Sequence, residues 1–386
     1  LRYDVTNVGY YLGRKGRACI IGIGGGRDVQ SAILFGHEHV TGIEINPIFV
    51  NLLQKNFRDF AGLAARPDVT IVCAEARSYI SRSPRKYSLI QMSLLDTWAA
   101  TAAGAFSLSE NCLYTVEAWD LFLSRLKDNG LFSVSRWYDP GRIGETGRVL
   151  TLAVTCLLRR GVREPANHIA LITAGSVATL LVTRQPLEPP DIAKLASTCE
   201  TLRFRVVLLP GQPQPQGLFH EILSARSQEQ LSTAIAGADL NYRPPTDDNP
   251  YFFNMLRLRN LRMALPKGDS VVQQGVIVGN LTATLTLISL LLTLLVATIA
   301  TIVLPLLLRT HFRVERTARA QTLWSGAIYF ALIGVGFMLT EIALVQRLTI
   351  LLSHPLYALG ILLFTLIAST GIGSLLSDRM PLTRAP

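Results

Sequence analysis

The chain of 386 residues has room for about two domains. Its 49% of hydrophobic residues and positive mean hydropathy exclude a wholly water-soluble enzyme. The net charge of +10 comes with no motif for base readout and gathers partly beside apolar segments, so anionic lipid is expected as a partner and nucleic acid is not.

Residues 18–23 are a short apolar run of the kind expected for a strand buried on both faces. Gly22, Gly24, Gly25 and Gly26 then allow a sharp turn and a close backbone approach to a ligand. Asp28 is expected to cap a helix running through Phe35, whose free N–H groups face the ligand crevice. A second strand over 39–43 delivers Glu44, followed by Ile45, about twenty residues past the first glycine. A carboxylate there can accept hydrogen bonds from both ribose hydroxyls of a nucleoside. A dinucleotide fingerprint would need a glycine where Arg27 stands, which disfavours an NAD-dependent oxidoreductase. The observed spacing is Gly22-x-Gly24-x-Gly26.

A helix with proline in its first turn is expected over 47–59, strands over 69–72 and 88–92, and a short helix over 76–81 between them. A helix over 115–126 capped by Thr115, a strand over 131–136, a helix over 147–160 and a hairpin over 169–172 and 179–183 follow. This βαβ succession predicts an α/β fold, a largely parallel, doubly wound Rossmann-like sheet with its ligand at the carboxyl ends of the strands. Prolines punctuate 184–245, which reads as a small appended region with one strand over 204–209. The turn-rich stretch 244–253 either packs its aromatics on the domain as a linker or folds back over the mouth of the site. Five scattered cysteines without Cys-x-x-Cys indicate neither a disulfide framework nor zinc, and no metal site is expected.

No charged residue occurs over 271–308, and spans are expected at about 285–308, 323–345 and 356–376. The expected organisation is a cofactor domain over 1–184, an appended region and linker over 185–260, and a transmembrane region over 271–386. Glu341 lies within the second span, where an ionised carboxylate costs about 3 kcal/mol, so it should face other helices or a polar cavity. Gly371-x-Gly373-Ser374 suits close helix approach and leaves room for an oligomer through the spans. Arg257, Arg259, Arg262 and Lys267 precede the first span, and Arg309, Arg313, Arg316 and Arg319 follow it, so charge alone does not orient the chain. The opening Leu1 and the stop soon after a span read as the ends of a piece, beyond which more spans are expected.

The runs Gly24-Gly25-Gly26-Arg27-Asp28-Val29, Glu44-Ile45-Asn46-Pro47, Glu75-Ala76-Arg77 and Leu113-Tyr114-Thr115-Val116-Glu117 resemble the spermidine synthase-like branch of class I S-adenosylmethionine-dependent transferases. Gly334-x-Gly336-Phe337-Met338-x-x-Glu341, Gln346-Arg347, His354-Pro355-x-Tyr357 and Gly371-x-Gly373-Ser374 are similar to the membrane region of its membrane-fused bacterial members. The resemblance implies that Gly22 to Gly26 hold the aminoacyl and sulfonium end of S-adenosylmethionine or its decarboxylated form. It implies that Glu44 takes the ribose and that Glu75 with Ala76 contacts the adenine. It also implies a bacterial inner membrane protein whose cofactor domain is cytoplasmic.

Aminopropyl transferases of this kind carry Asp-x-x-Asp after the fourth strand, whereas the aligned run here is Ser93-Leu94-Leu95-Asp96. Asp96, Ser93 and Tyr114 are the expected catalytic set, and the carboxylate that helps to deprotonate an attacking amine is absent at 93. A protonated amine has no lone pair, and serine alone is no general base. Arg136 would repel a polyamine if it pointed into the pocket. The expected function is a membrane-anchored transferase moving an aminopropyl or methyl group to a small-molecule acceptor (polyamine, lipid or other). The alternative is a transport or scaffold protein with a non-catalytic, nucleoside-sensing domain.

Overall fold

The computed structural model describes residues 1–96, 109–140, 143–213, 216–257, 271–305, 318–352 and 355–377. The chain divides into two compact units, Leu1–Ile288 and Ser289–Pro386. In the first, eight strands form one sheet: β1 Arg17–Ile21, β2 His39–Glu44, β3 Val69–Cys73, β4 Tyr87–Ser93, β5 Leu126–Trp137, β6 Ile169–Ala174, β7 Val177–Thr183 and β8 Arg205–Leu208. Their order is β3-β2-β1-β4-β5-β7-β6-β8. The first five in that order run parallel, β7 is antiparallel to β5, and β6 pairs antiparallel with both β7 and β8. The strand expected in an appended region is thus the last strand of the sheet. A lone strand cannot satisfy its own backbone groups, and β6 offers the free edge that does so.

Both faces of the central strands are covered, which is why β1 reads as an unbroken apolar run after Arg17. A 3₁₀ helix, Val5–Leu12, lies with α1 (Arg27–Leu34) over Ile20, Leu89 and Leu131. On the other face α2 (Ala76–Arg82), Val116–Ser124 and Gly144–Arg159 cover Ile90, Phe132 and Val134. There Trp119 meets Phe132 edge-on at 4.8 Å. Thr115 accepts a hydrogen bond from the Ala118 N–H at 3.2 Å, the expected cap, an arrangement worth about 1 kcal/mol.

The 3₁₀ helix was not foreseen from the sequence. It is anchored by the Asn7 amide, which donates to Ser31 Oγ at 2.9 Å. The single helix expected over 47–59 is interrupted instead. A π turn, Leu52–Asn56, separates Pro47–Asn51 from Arg58–Ala61. It turns Leu53 inward beside Gly26 and leaves Phe57 and Phe60 outside.

Three helices, Val271–Thr298, Ala318–Leu352 and Pro355–Ser377, are C-terminal. Within them Gly279–Val303, Ser325–Leu348 and Tyr357–Ser377 are long and apolar enough to cross a membrane. Nothing lies within 4 Å of a Cβ placed at Gly371 or Gly373, so the close helix approach expected there is not made among the described residues. His354 and the arginines at 309, 313 and 316 lie outside the described residues.

Candidate functional site

Strand β1 sits between β2 and β4, and the connections from these neighbours leave on opposite faces, which opens a crevice at the carboxyl ends of the strands. The glycine loop fills one side of it. Glu44, at the end of β2, is 8% exposed. Its Oε2 accepts from the Gly24 N–H at 3.0 Å and its Oε1 from the Asn46 N–H at 2.9 Å. A carboxylate oxygen accepts two hydrogen bonds, so each retains a lone pair. A Cβ placed at Gly24 or Gly25 meets nothing within 4 Å, whereas one at Gly26 runs into Leu63. Gly26 also carries φ +86° and is itself the N-cap of α1. The expected capping by Asp28 is therefore corrected: a left-handed glycine takes the cap, and Asp28 lies in the first turn with its carboxylate turned to Arg27 and Ser93.

Glu75 is occupied by its own helix. Its Oε1 and Oε2 accept from the Arg77 and Ser78 N–H groups at 2.9 and 2.7 Å, capping α2. Ala76 is buried beside it, and Ile45 is exposed next to Glu44.

At the end of β4, Ser93 Oγ accepts from Gln91 Nε2 at 2.8 Å and donates to Asp28. Burial raises the Asp28 carboxyl, with Arg27 and the Ser93 hydroxyl pulling the other way. Leu94 then takes φ +46°, a strained value for a leucine and of the kind that collects at functional sites. Asp96 Oδ2 accepts from Arg136 Nη1 at 3.0 Å, and the same nitrogen reaches the Tyr114 hydroxyl at 3.1 Å. Arg136 Nε and Nη2 both bond Glu145 Oε2, at 2.9 and 2.5 Å.

The guanidinium is 1% exposed and lies 5.3, 5.7 and 5.0 Å from the ring centres of Tyr114, Phe252 and Phe253. Burial works against its charge, but Glu145, Tyr114 and Asp96 outweigh burial and raise its pKa. Burial likewise raises Glu145 despite Arg136, and its buried Oε1 finds no partner among the described residues. One cation thus faces two carboxylates. Arg136 does not present a free positive charge to the pocket, which corrects the expected repulsion of a polyamine.

The order and direction of the strands make the sheet Rossmann-like. The chain is similar to spermidine synthase from Thermotoga maritima at 16% identity over 59% of this chain and 73% of that one, with TM-score 0.35. It is similar to human methyltransferase-like protein 13 in complex with SAH at 17%, over 55% and 89%, with TM-score 0.35. A probable spermidine synthase from Corynebacterium glutamicum gives 16%, over 52% and 68%, with TM-score 0.36. No family model and no curated protein matches the chain. Identities of this size concern fold alone.

The stretch 244–253 serves as a wall of the site as well as a linker. The Val116 N–H donates to Pro245 O at 2.9 Å and the Asn111 N–H to Pro250 O at 2.8 Å. Phe252 stacks on Tyr114 at 4.3 Å. Arg148, 3% exposed, donates to the carbonyls of Arg243, Tyr251, Phe252 and Asn254, and burial pulls its pKa down to about 9. Beyond the phenylalanines, the Met255 N–H donates to Asn280 Oδ1 at 3.3 Å. Sequence reasoning missed Arg148 and Glu145, whose only signal is a charge on an otherwise apolar helix.

Asp247 ties the wall to α2 through a bidentate pair with Arg77 at 2.6 and 2.5 Å, and accepts from Thr115 Oγ at 2.8 Å. Burial opposes its charge, but Arg77 and Thr115 prevail and hold the carboxyl below its usual range. Its contribution to stability is therefore present above the unfolded pKa of about 3.9 and lost as pH falls through the lower folded value. Asp247→Asn is expected to cost about 1 kcal/mol at neutral pH, after allowance for partial exposure, and progressively less below about pH 4. Urea unfolding between acid and neutral pH checks this; a gap independent of pH would mean that the charge is not what holds the wall.

Proposed function

We propose that the chain is a membrane-anchored transferase that binds S-adenosylmethionine or its decarboxylated form and passes a methyl or aminopropyl group to a neutral or cationic acceptor. The observation that carries this reading is the open space over Gly24 and Gly25, facing a Glu44 carboxylate with a lone pair left on each oxygen. The residues present fit the group. The loop from Gly22 to Gly26 would border its aminoacyl end, Glu44 would accept from both ribose hydroxyls, and Ile45, Glu75 and Ala76 would border the adenine. Bound there, a sulfonium supplies an electrophilic carbon.

The chain's own residues then have two tasks. Asp96 and Tyr114, held by Arg136, orient the acceptor, and the excess of carboxylate over guanidinium favours an amine-type nucleophile over an anionic one. Ser93 cannot hold a proton, but Asp28 behind it can, and burial raises that carboxyl's affinity for one. The three apolar helices would supply the membrane anchor, and the cytoplasmic side is proposed for the cofactor domain because its ligand is a cytoplasmic metabolite.

Calorimetry of the detergent-solubilised full chain with S-adenosylmethionine, its decarboxylated form and NAD tests the reading. Heat with a sulfonium and none with NAD is expected; silence with both sulfonium ligands from a folded protein ends it, and favours a transport or scaffold role. Gly25→Ala separates fold from site. Gly25 has neither a positive φ nor a neighbour for a new Cβ, so stability should stay within about 0.5 kcal/mol. Affinity should drop by about tenfold or more, because the methyl occupies ligand space. Undiminished affinity would place the ligand elsewhere.

A further inference from the structure

The segment after Glu44 is unusual for a surface that meets only water. Facing inward it buries Val50, Leu53 and Leu63. Facing outward, Ile48, Phe49, Phe57 and Phe60 are 65%, 42%, 54% and 92% exposed. Phe57 and Phe60 stand edge to face, 6.5 Å apart, so they form one patch. A groove of about 300 Å³ runs from these rings to Gly24 and Gly25. Scattered exposed apolar side chains are ordinary, whereas a contiguous aromatic patch marks a contact surface.

Charge says what the patch contacts. Lys55 and Arg58 are exposed in the same segment, and among the described residues neither joins a salt bridge. The only carboxylate between Pro47 and Ala61 is Asp59. Exposed phenylalanines interleaved with lysine and arginine on short helices suit the headgroup layer of an anionic bilayer: rings enter the acyl boundary while cations meet phosphates. A second copy of the patch would set like charges against each other. The chain also carries three helices long and apolar enough to cross a membrane, so its first unit is tethered near lipid, and tethering makes a weak surface contact effective.

We propose that the segment from Ile48 to Phe60 docks on the surface of an anionic bilayer, with Phe57 and Phe60 inserted and Lys55 and Arg58 on lipid phosphates. The groove beside the glycine loop then opens toward lipid. This docking does not depend on which group the site transfers, or on whether it transfers one.

The test is hydrogen exchange of the full chain in two kinds of nanodisc, phosphatidylcholine alone and phosphatidylcholine with about a quarter phosphatidylglycerol. Amides over 47–61 should exchange about tenfold more slowly with the anionic lipid. Phe57→Ser/Phe60→Ser should lose that protection with an unchanged thermal midpoint, since both rings are exposed. Lys55→Gln/Arg58→Gln should abolish the difference between the two lipids. Equal exchange in both nanodiscs, with wild type and the double serine variant alike, overturns the proposal. So does protection that grows with protein concentration, which would mean a second copy, or protection that appears only with S-adenosylhomocysteine, which would mean a small-molecule groove.

Discussion

Glu44→Ala is expected to weaken binding of S-adenosylhomocysteine by about 10²–10³-fold, or roughly 3–4 kcal/mol. In the proposed site, two charge-assisted hydrogen bonds to ribose hydroxyls would account for most of this, each contributing about 1.5–3 kcal/mol and not fully additive. The remainder comes from the loop, because the same carboxylate accepts from the Gly24 and Asn46 N–H groups. Glu44→Gln distinguishes the two contributions. Its amide nitrogen cannot accept, so one of those two N–H groups loses its partner while the side chain keeps its size. An intermediate loss of affinity is expected for Gln, measured by calorimetry alongside the thermal midpoint. Affinity within threefold of wild type for Ala would remove Glu44 from the site.

The second large effect concerns stability. Arg136→Met leaves Glu145 and Asp96 side by side, one of them fully buried, without the cation that compensates both. Removing one partner of a buried ionic cluster costs about 3–5 kcal/mol, far more than the cluster itself contributes over an apolar replacement. The sign of the pH dependence identifies the cause. Burial already raises the Glu145 carboxyl, and losing Arg136 raises it further, so the folded variant binds a proton that the unfolded chain releases above about pH 4.3. The deficit should therefore be smaller near pH 5 than near pH 8, as read by urea unfolding. Arg136→Met/Glu145→Leu should recover most of the loss; failure to do so would show that the stacked rings, and not charge, dominate.

The parts of the site that could be read from the sequence are those whose partners are close in the chain or fixed by a strand end. Glu44 follows from the end of β2 and the glycine spacing, and Thr115 from its place before an apolar helical run. The parts that escaped depend on approach in space. Glu145 pairs with Arg136 across a turn, but the helix was expected to begin at Gly147, which left Glu145 in a loop; it begins at Gly144. Asp28 looked like a cap because it is the first capping residue type after the glycines. Gly26 in a left-handed conformation displaces it and brings its carboxylate to Ser93, from the neighbouring β4. The strand β8 was legible as a strand, but its pairing with β6 is set by a free sheet edge, which no local pattern records.

The hydrogen bond from Met255 to Asn280 bears on where the protein can be cut. Hydropathy draws the border of the soluble part before Val271, yet the compact unit extends to Ile288. A fragment ending ahead of Val271 would strip Met255 of that acceptor, two residues from Phe253 and the stack on Tyr114. Inactivity of such a fragment would then report a loosened wall and not a missing reaction, so activity should be assayed on the full chain, which keeps Asn280.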